Sequence, residues 1–166
     1  MPDGTPLSDR ARSDRARDPY GWALAQAEAL GRASPVAGGI DTDELRAFLE
    51  EAAEDMLSKV TSQMVNLMAH ATKAALTRNP TVVGHWRSEC VEFHDQIVDG
   101  FRNSMRRRID PDELWRRARR KVLASFADHG EPLPVLPERC PLSLDTLVDP
   151  DLDIDGLVAR LRADLA

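Results

Sequence analysis

Residues 131–149, EPLPVLPERCPLSLDTLVD, decide how the chain is organised, because they follow a series of helix patterns without continuing it. Four prolines lie between positions 132 and 141; they forbid a helix through Pro141 and favour extended backbone. Flexible linkers contain few large apolar residues, whereas this stretch contains Leu133, Val135, Leu136, Leu142, Leu144, Leu147 and Val148. We therefore predict an ordered, extended strap over residues 131–149 that lies across the helices. Ser143 is expected to cap a short helical turn within it.

The chain before the strap carries repeated signals for the start of a helix. Asp41 with Glu44 three residues later is typical of a capping box. Three other starts place a polar N-cap residue directly before a proline that suits the first helical position. These starts are Asp18–Pro19, Asn79–Pro80 and Asp110–Pro111. Gly31 and Gly130 are expected to end the helices that they follow.

The spacing of apolar residues predicts which helix faces are buried. After Pro80, one stripe is formed by Trp86, Cys90, Phe93, Ile97, Phe101 and Met105. This stripe makes Cys90 a buried core thiol, not a reactive one. Residues 42–78 have a helical pattern without a clear break, so one long helix and two helices with a bend both fit. A short amphipathic helix is predicted at about residues 154–165.

These patterns predict an all-α fold, with no strand. We expect a helical bundle of about five main helices, an extended Pro-rich C-terminal strap and a short terminal helix. The 166 residues are enough for one domain with a substantial core. Residues 18–166 are assigned to that domain. Residues 1–17 are predicted to be a disordered tail, because their three Asp and four Arg leave almost nothing to bury.

Composition narrows the classes of function. The N-terminus has no apolar segment typical of a secretory signal, and no apolar run approaches the length of a membrane span. Two cysteines form neither a disulfide framework nor a metal-ligand pattern. We therefore expect a cytoplasmic protein without a membrane partner, cofactor or metal site.

An ordered series of short motifs gives the chain a resemblance to a known family. The motifs are DPYGWALAQAEAL, IDTDELRAFLEEAAEDM, NLMAHATK, HWRSEC and LPVLPERCPLSLDTLVD. Together they resemble the bacterial family described as domain of unknown function 29, over roughly residues 18–149. The resemblance implies a small helical protein and implies no activity, ligand or catalytic residue.

The turn at Asn79–Pro80 predicts one candidate pocket. If the flanking helices form an antiparallel hairpin, residues equally distant from the turn lie at the same height. Lys73 is then level with Trp86, and His70 is level with Glu89. The predicted cluster is His70, Lys73, Trp86, Arg87 and Glu89. It would offer an oriented base and an anion site, although two polar faces at one height are also typical of solvated surface ion pairs.

The charge distribution suggests a second candidate. The net charge is −6, yet residues 102–121 hold nine bases and three acids. The candidate anion-binding residues are Arg106, Arg107, Arg108, Arg116, Arg117, Arg120 and Lys121. This block could bind nucleic acid or another polyanion, or it could lie against the chain's own acidic segments. The overall acidity argues against a dedicated nucleic-acid binder.

No nucleophile motif, phosphate-binding glycine loop or Cys/His ligand pattern is present. The sequence therefore favours a non-enzymatic module that works by self-association or by contact with a protein partner. Two alternatives stay open. One is a polyanion binder that uses residues 106–121, and the other is a small enzyme that uses the cluster around His70.

Overall fold

A computed structural model describes residues 14–32, 36–37 and 39–165, and the fold is all-α, as the sequence predicts. The main helices are α1 (Pro19–Gly31), α2 (Thr42–Leu76), α3 (Pro80–Gly100), α4 (Pro111–Asp128), α5 (Leu144–Leu147) and α6 (Ile154–Leu165). A 3-10 helix, η1, covers Asn103–Arg108. A bilayer-spanning helix is absent from the described ranges, since none combines the necessary length and hydropathy.

The predicted helix starts are confirmed by their cap hydrogen bonds. Asp18 accepts from the Gly21 amide at 2.8 Å, and Asn79 accepts from the Thr81 amide at 3.1 Å. Asp110 caps α4 and Ser143 caps α5 in the same way. Such caps satisfy backbone N–H groups that have no partner inside the helix. Local sequence alone therefore sets where these helices begin.

Residues 42–78, which the sequence left undecided, contain one helix of 35 residues. The chain divides into two compact units, and this helix contributes residues to both. Unit 1 contains the described residues up to Lys59 together with Arg102–Arg108. Unit 2 contains Val60–Phe101 and the described residues from Ile109 onward. The sequence pattern had assigned residues 18–166 to a single helical domain.

The core of unit 1 is small and made of few large side chains. Tyr20, Ala23 and Ala27 of α1 are almost fully buried, as are Ala53 and Leu57 of α2. Met105 joins this set from η1, which contacts α1. Alanine at the buried positions lets helix backbones approach closely, so this unit buries little apolar area.

Unit 2 is a helical bundle around the second half of α2. Met64, Leu67, Met68 and Ala71 are completely inaccessible to solvent. A helix segment that is buried on most of its faces must be surrounded by other elements. The surrounding elements contribute the following buried residues: Cys90 and Ile97 of α3, Trp115 and Val122 of α4, Leu147 of α5, and Leu157 and Leu161 of α6.

The C-terminal end of α2 is held by two contacts from distant parts of unit 2. Arg162 of α6 donates to the carbonyl oxygens of Ala75 at 2.9 Å and Ala74 at 3.1 Å. A guanidinium at this position satisfies the last carbonyls and suits the helix dipole. Glu131 accepts from the Thr77 hydroxyl at 2.9 Å and the Arg78 amide at 3.0 Å. The turn between α2 and α3 is thus fixed from both sides.

The strap is extended and anchored, but only part of it is buried. Leu136 and Leu142 pack inward, and the Trp115 indole donates to the Pro137 carbonyl at 2.9 Å. The expectation that the whole apolar set packs is wrong for two residues. Leu133 is 61% exposed and Val135 is 91% exposed. Both lie between Glu131, which is bound to the turn between α2 and α3, and the buried Leu136, and their own side chains face outward.

The stripe from Trp86 to Met105 belongs to two elements, not to one helix as predicted. The helix α3 ends at Gly100, and Phe101 is extended with ψ 139°. A Cβ on Gly100 would lie 2.9 Å from Cγ2 of Val60, which shows how closely the two helices approach there. Arg106, Arg107 and Arg108 therefore lie in η1 and do not end the long helix.

Two further differences concern the N-terminal region. Residues Val36–Ala37 and Ile40–Asp41 form a two-residue antiparallel pair, where no strand was predicted. Gly39, with φ 82°, supplies the left-handed residue in this tight turn. The predicted disorder of residues 1–13 lies outside the described residues. Residues 14–17 are helical, so the predicted disorder does not extend to them.

Candidate functional site

The antiparallel hairpin of α2 and α3 brings together the residues that lie at equal distances from its turn. Nδ1 of His70 is 2.8 Å from Oε2 of Glu89. The ammonium group of Lys73 lies 4.7 Å from the centre of the Trp86 ring. Two turns further along, Gln63 donates to Gln96 at 2.7 Å. The heights predicted from the Asn79–Pro80 turn are confirmed by these contacts.

The contact between His70 and Glu89 is an ion pair only when the imidazole is protonated. Neither Nδ1 of His70 nor Oε2 of Glu89 forms a hydrogen bond of good geometry with a described residue. The two side chains are 19% and 28% exposed. Burial and the neighbouring Lys73 lower the pKa of His70, although Glu89 acts in the opposite direction. The imidazole is therefore held toward its neutral form.

Lys73 is a buried lysine whose ammonium group lies beside the Trp86 ring and near the Glu89 carboxylate. Its side chain is 8% accessible and covers the face of Trp86. Burial lowers the pKa of Lys73, and the nearby Glu89 carboxylate partly compensates. A cation over an indole ring gains about 0.5–2 kcal/mol. This geometry joins α2 to α3 through one side chain from each helix.

Arg87, the fifth predicted member, makes a different contact. Its guanidinium pairs with Asp155 of α6. This pairing could not be predicted from the sequence, because 68 positions separate the two residues and the orientation of α6 depends on the rest of unit 2. Arg87 therefore connects α3 to α6, and its contact with Asp155 does not support the prediction that it joins Lys73 in one anion site.

Two residues outside the predicted cluster of five also contact its members. Nε2 of His85 lies 3.6 Å from the same Glu89 oxygen, one helical turn away. The Phe93 ring meets the His70 ring edge to face, with centroids 5.1 Å apart. The spacing of four between His85 and Glu89 was a usable signal. The contact of Phe93 with His70 depends on the hairpin geometry alone.

The cluster has an acceptor for a proton but lacks an activated nucleophile. Burial raises the pKa of the Cys90 thiol to about 12, and its Sγ faces the Leu67 carbonyl. A thiol of this kind stays protonated and unreactive at neutral pH. The arrangement can transfer a proton between His70 and Glu89. Its other visible effect is to hold two helices in register.

The Arg-rich segment is divided between the two units. Arg106, Arg107 and Arg108 belong to unit 1, whereas Arg116, Arg117, Arg120 and Lys121 belong to unit 2. Several of these cations have contacts within the chain. Arg106 donates to Asn103, Arg108 pairs with Glu54 at 3.4 Å, and Lys121 donates to Asn66 at 2.7 Å. The segment is therefore not one continuous row of unpaired charge.

Unit 1 exposes large apolar side chains on the first half of α2. Leu45 is 40% exposed and Phe48 is 64% exposed. Ala52 and Met56 are partly exposed at the same helical stripe, with spacings of three and four. We call Leu45, Phe48, Ala52 and Met56 the α2 apolar face. The sequence offered a signal for it, since this half of α2 has more apolar residues than one buried stripe requires.

The side of α2 away from this face borders two shallow depressions in unit 1. Their volumes are about 330 Å³ and 430 Å³, and both are lined by Leu24 and Glu50. The charged residues around them are paired with one another: Glu50 with Arg46, Glu54 with Arg108 and Glu28 with Arg32. These depressions therefore offer no unpaired charge to a ligand from those residues.

Within the described ranges, His, Cys, Asp and Glu side chains do not come together in a group of three or more that could hold a metal ion.

Comparison with known proteins adds the fold but no activity. The family model described as "Domain of unknown function DUF29" matches residues 16–152. No curated protein is significantly similar to the chain. A solved structure of an alpha-helical protein of unknown function from Rhodospirillum rubrum is 26% identical. The match covers 89% of this chain and 96% of that chain, with a TM-score of 0.81.

Proposed function

Since the chain belongs to the DUF29 family, whose description names no activity, we propose its function from its surface: it is a non-enzymatic helical module that binds another protein. The observation that carries this proposal is the exposure of Leu45 and Phe48 on the α2 apolar face. Single exposed apolar residues are ordinary, but an aligned set on one helix face marks an interaction site more often. The mode is the docking of a helix face into a complementary surface.

The contrast with the His70 cluster supports this choice. There, the polar groups are turned toward each other and join α2 to α3, as the contacts of His70 with Glu89 and of Lys73 with Trp86 demonstrate. We assign this cluster a stabilising role in unit 2. The α2 apolar face has no comparable contacts among the described residues, since Leu45 and Phe48 are exposed and Ala52 and Met56 are only partly buried.

Phe48 is the residue on which the proposal is best tested. Aromatic side chains give up the most apolar area on docking and dominate the energetics of interfaces. The test is native co-purification of the full chain from its source cell, first at low and then at moderate salt. Wild type is compared with Phe48→Asp and with Val91→Asp, a matched change at a 47% exposed position on α3 in unit 2.

We expect one protein to stay bound to wild type and to Val91→Asp at moderate salt, and to be lost from Phe48→Asp. Circular dichroism of each variant checks that its helices are intact. A partner retained equally by Phe48→Asp would overturn the proposal. Nucleic acid that binds at low salt and leaves as salt rises would instead support polyanion binding, since release of counterions makes such binding steeply salt-dependent.

A further inference from the structure

The charges beside the α2 apolar face indicate what kind of partner it takes, and this inference rests on the proposed function. Glu44, Glu51 and Asp55 follow one another along the helix at spacings of seven and four, so they form a row. Phe48 lies between Glu44 and Glu51 on the same side of α2. All three carboxylates are exposed. The apolar face therefore has an acidic edge.

These three carboxylates differ from the acids on the opposite side of α2. Glu50 is paired with Arg46, and Glu54 is paired with Arg108. In the part of the chain that the structure describes, none of Glu44, Glu51 and Asp55 has an ion-pair partner. Lys59, at the end of the row, is the one base that follows them in this half of the helix. The acidic edge thus presents unpaired negative charge next to apolar surface.

We propose that the α2 apolar face binds a basic amphipathic helix of another protein. Leu45 to Met56 is a stretch of twelve residues and eleven steps, or about 16 Å at 1.5 Å per step, which matches roughly three turns of a partner helix. The partner would place apolar residues at spacings of three and four against Leu45 and Phe48. Its Lys or Arg side chains would lie along Glu44, Glu51 and Asp55, where opposite charge favours encounter and orientation.

A second copy of this chain fits the face less well. A two-fold axis that pairs two α2 helices in antiparallel orientation keeps both acidic rows on the same edge of the interface. Like charges placed opposite one another oppose association. Each copy also carries a net charge of −6. The electrostatics therefore favour a partner of opposite charge over self-association.

The test measures binding of two designed peptides of 18 residues to the full chain by fluorescence anisotropy. Both peptides carry Leu at helical spacing, and the other positions are Lys in one peptide and Glu in the other. We expect the Leu/Lys peptide to bind at least tenfold more tightly than the Leu/Glu peptide. Phe48→Ala and the double variant Glu51→Lys/Asp55→Lys should each weaken its binding at least tenfold.

The matched control is Glu92→Lys/Asp95→Lys, which makes the same change in net charge at exposed positions of α3 in unit 2. Binding that is unchanged in this control supports the inference. Equal loss in the control and in Glu51→Lys/Asp55→Lys would mean that only net charge matters, and would overturn it. Equal binding of the two peptides would also overturn it, because the acidic edge would then have no selective effect.

The outcome for the peptides is separable from the outcome for the proposed function. If neither peptide binds while Phe48→Asp still loses its co-purified protein, the face is an interaction site but its partner is not a basic helix. Sedimentation that shows a dimer of wild type and a monomer of Phe48→Asp would assign the face to a second copy and overturn the basic-helix inference. A Leu/Lys peptide that binds Phe48→Ala as well as wild type places its site elsewhere and overturns the inference too.

Discussion

The two halves of α2 differ in how they use their side chains, although they are one continuous helix. From Val60 to Ala75, in unit 2, apolar residues such as Leu67 are buried on every side, and the polar Thr72 donates to the Met68 carbonyl at 2.7 Å. In the first half, in unit 1, Leu45 and Phe48 are exposed. In the second half the apolar residues belong to the core, whereas in the first half Ala53 and Leu57 are buried but Leu45 and Phe48 are left exposed. The comparison separates residues that stabilise the chain from residues available to a partner.

The largest expected effect is a difference in stability between a substitution in the buried half of α2 and one in its exposed half. Leu67→Ala should lower the free energy of unfolding by about 2–5 kcal/mol, because it leaves a cavity in a fully buried site. Phe48→Ala should change it by no more than about 0.5 kcal/mol, as exposed substitutions usually do. Urea denaturation followed by far-UV circular dichroism measures both. A large loss of stability in Phe48→Ala would contradict the assignment of Phe48 to binding.

A smaller effect tests how closely α2 and α3 approach in unit 2. Gly100→Ala should destabilise the protein by about 1–3 kcal/mol, because the new methyl group would lie 2.9 Å from Val60 Cγ2. Gly84→Ala is the matched control on the same helix. It meets no atom within 4 Å and should stabilise the protein by roughly 0.5–1 kcal/mol.

The double variant Gly100→Ala/Val60→Ala checks the cause of that effect. Val60→Ala removes the methyl group that crowds position 100, so the two changes should be less harmful together than the sum of their separate effects. The same denaturation measurement applies. Strict additivity would show that crowding against Val60 is not the source of the loss.

The smallest expected effect concerns pH and the His70 cluster. The pKa of His70 is lowered from 6.5 in the folded chain, so the unfolded chain binds the proton more readily as pH falls below 6.5. Stability from the neutral imidazole is thus present above pH 6.5 and is lost as pH falls toward the lowered pKa. His70→Gln cannot titrate, so its melting temperature should fall less between pH 7.5 and pH 5.5 than that of wild type.

Several charged or titratable groups face His70 and influence its pKa. They are Lys73 on α2, Glu89 on α3 and Lys121 on α4, and His85 contacts the same Glu89 carboxylate. His85→Gln is the matched control, because His85 is 72% exposed. Its melting temperature should depend on pH as that of wild type does. An identical pH dependence in His70→Gln and wild type would show that His70 does not contribute.

The His70 cluster could be predicted only in part from the sequence. The pairs His70–Glu89 and Lys73–Trp86 followed from the position of one turn, because two antiparallel helices of known rise fix the height of each residue. The partner of Arg87 did not follow, since the position of Asp155 depends on how α6 packs. Height along a hairpin is a local property, whereas contact with a third helix is not.

The two exposed residues of the strap also could not be predicted from local sequence. Its proline content predicted extended backbone, and Leu136 and Leu142 pack as expected. Leu133 and Val135 are as apolar as their neighbours, yet they face solvent. Composition shows that a segment has something to bury, but the direction of each side chain depends on where the ends of the segment are held.

By itself, the sequence determined where helices start, that the fold is all-α, that Cys90 is buried and which residues share a height in the hairpin. These properties depend on interactions within a few residues or on the geometry of one turn. Only the tertiary structure decided that α2 is continuous, that α3 ends at Gly100, and that Phe48 stays exposed. Exposure is decided by whether another element covers a side chain, and that depends on contacts between residues far apart in the chain.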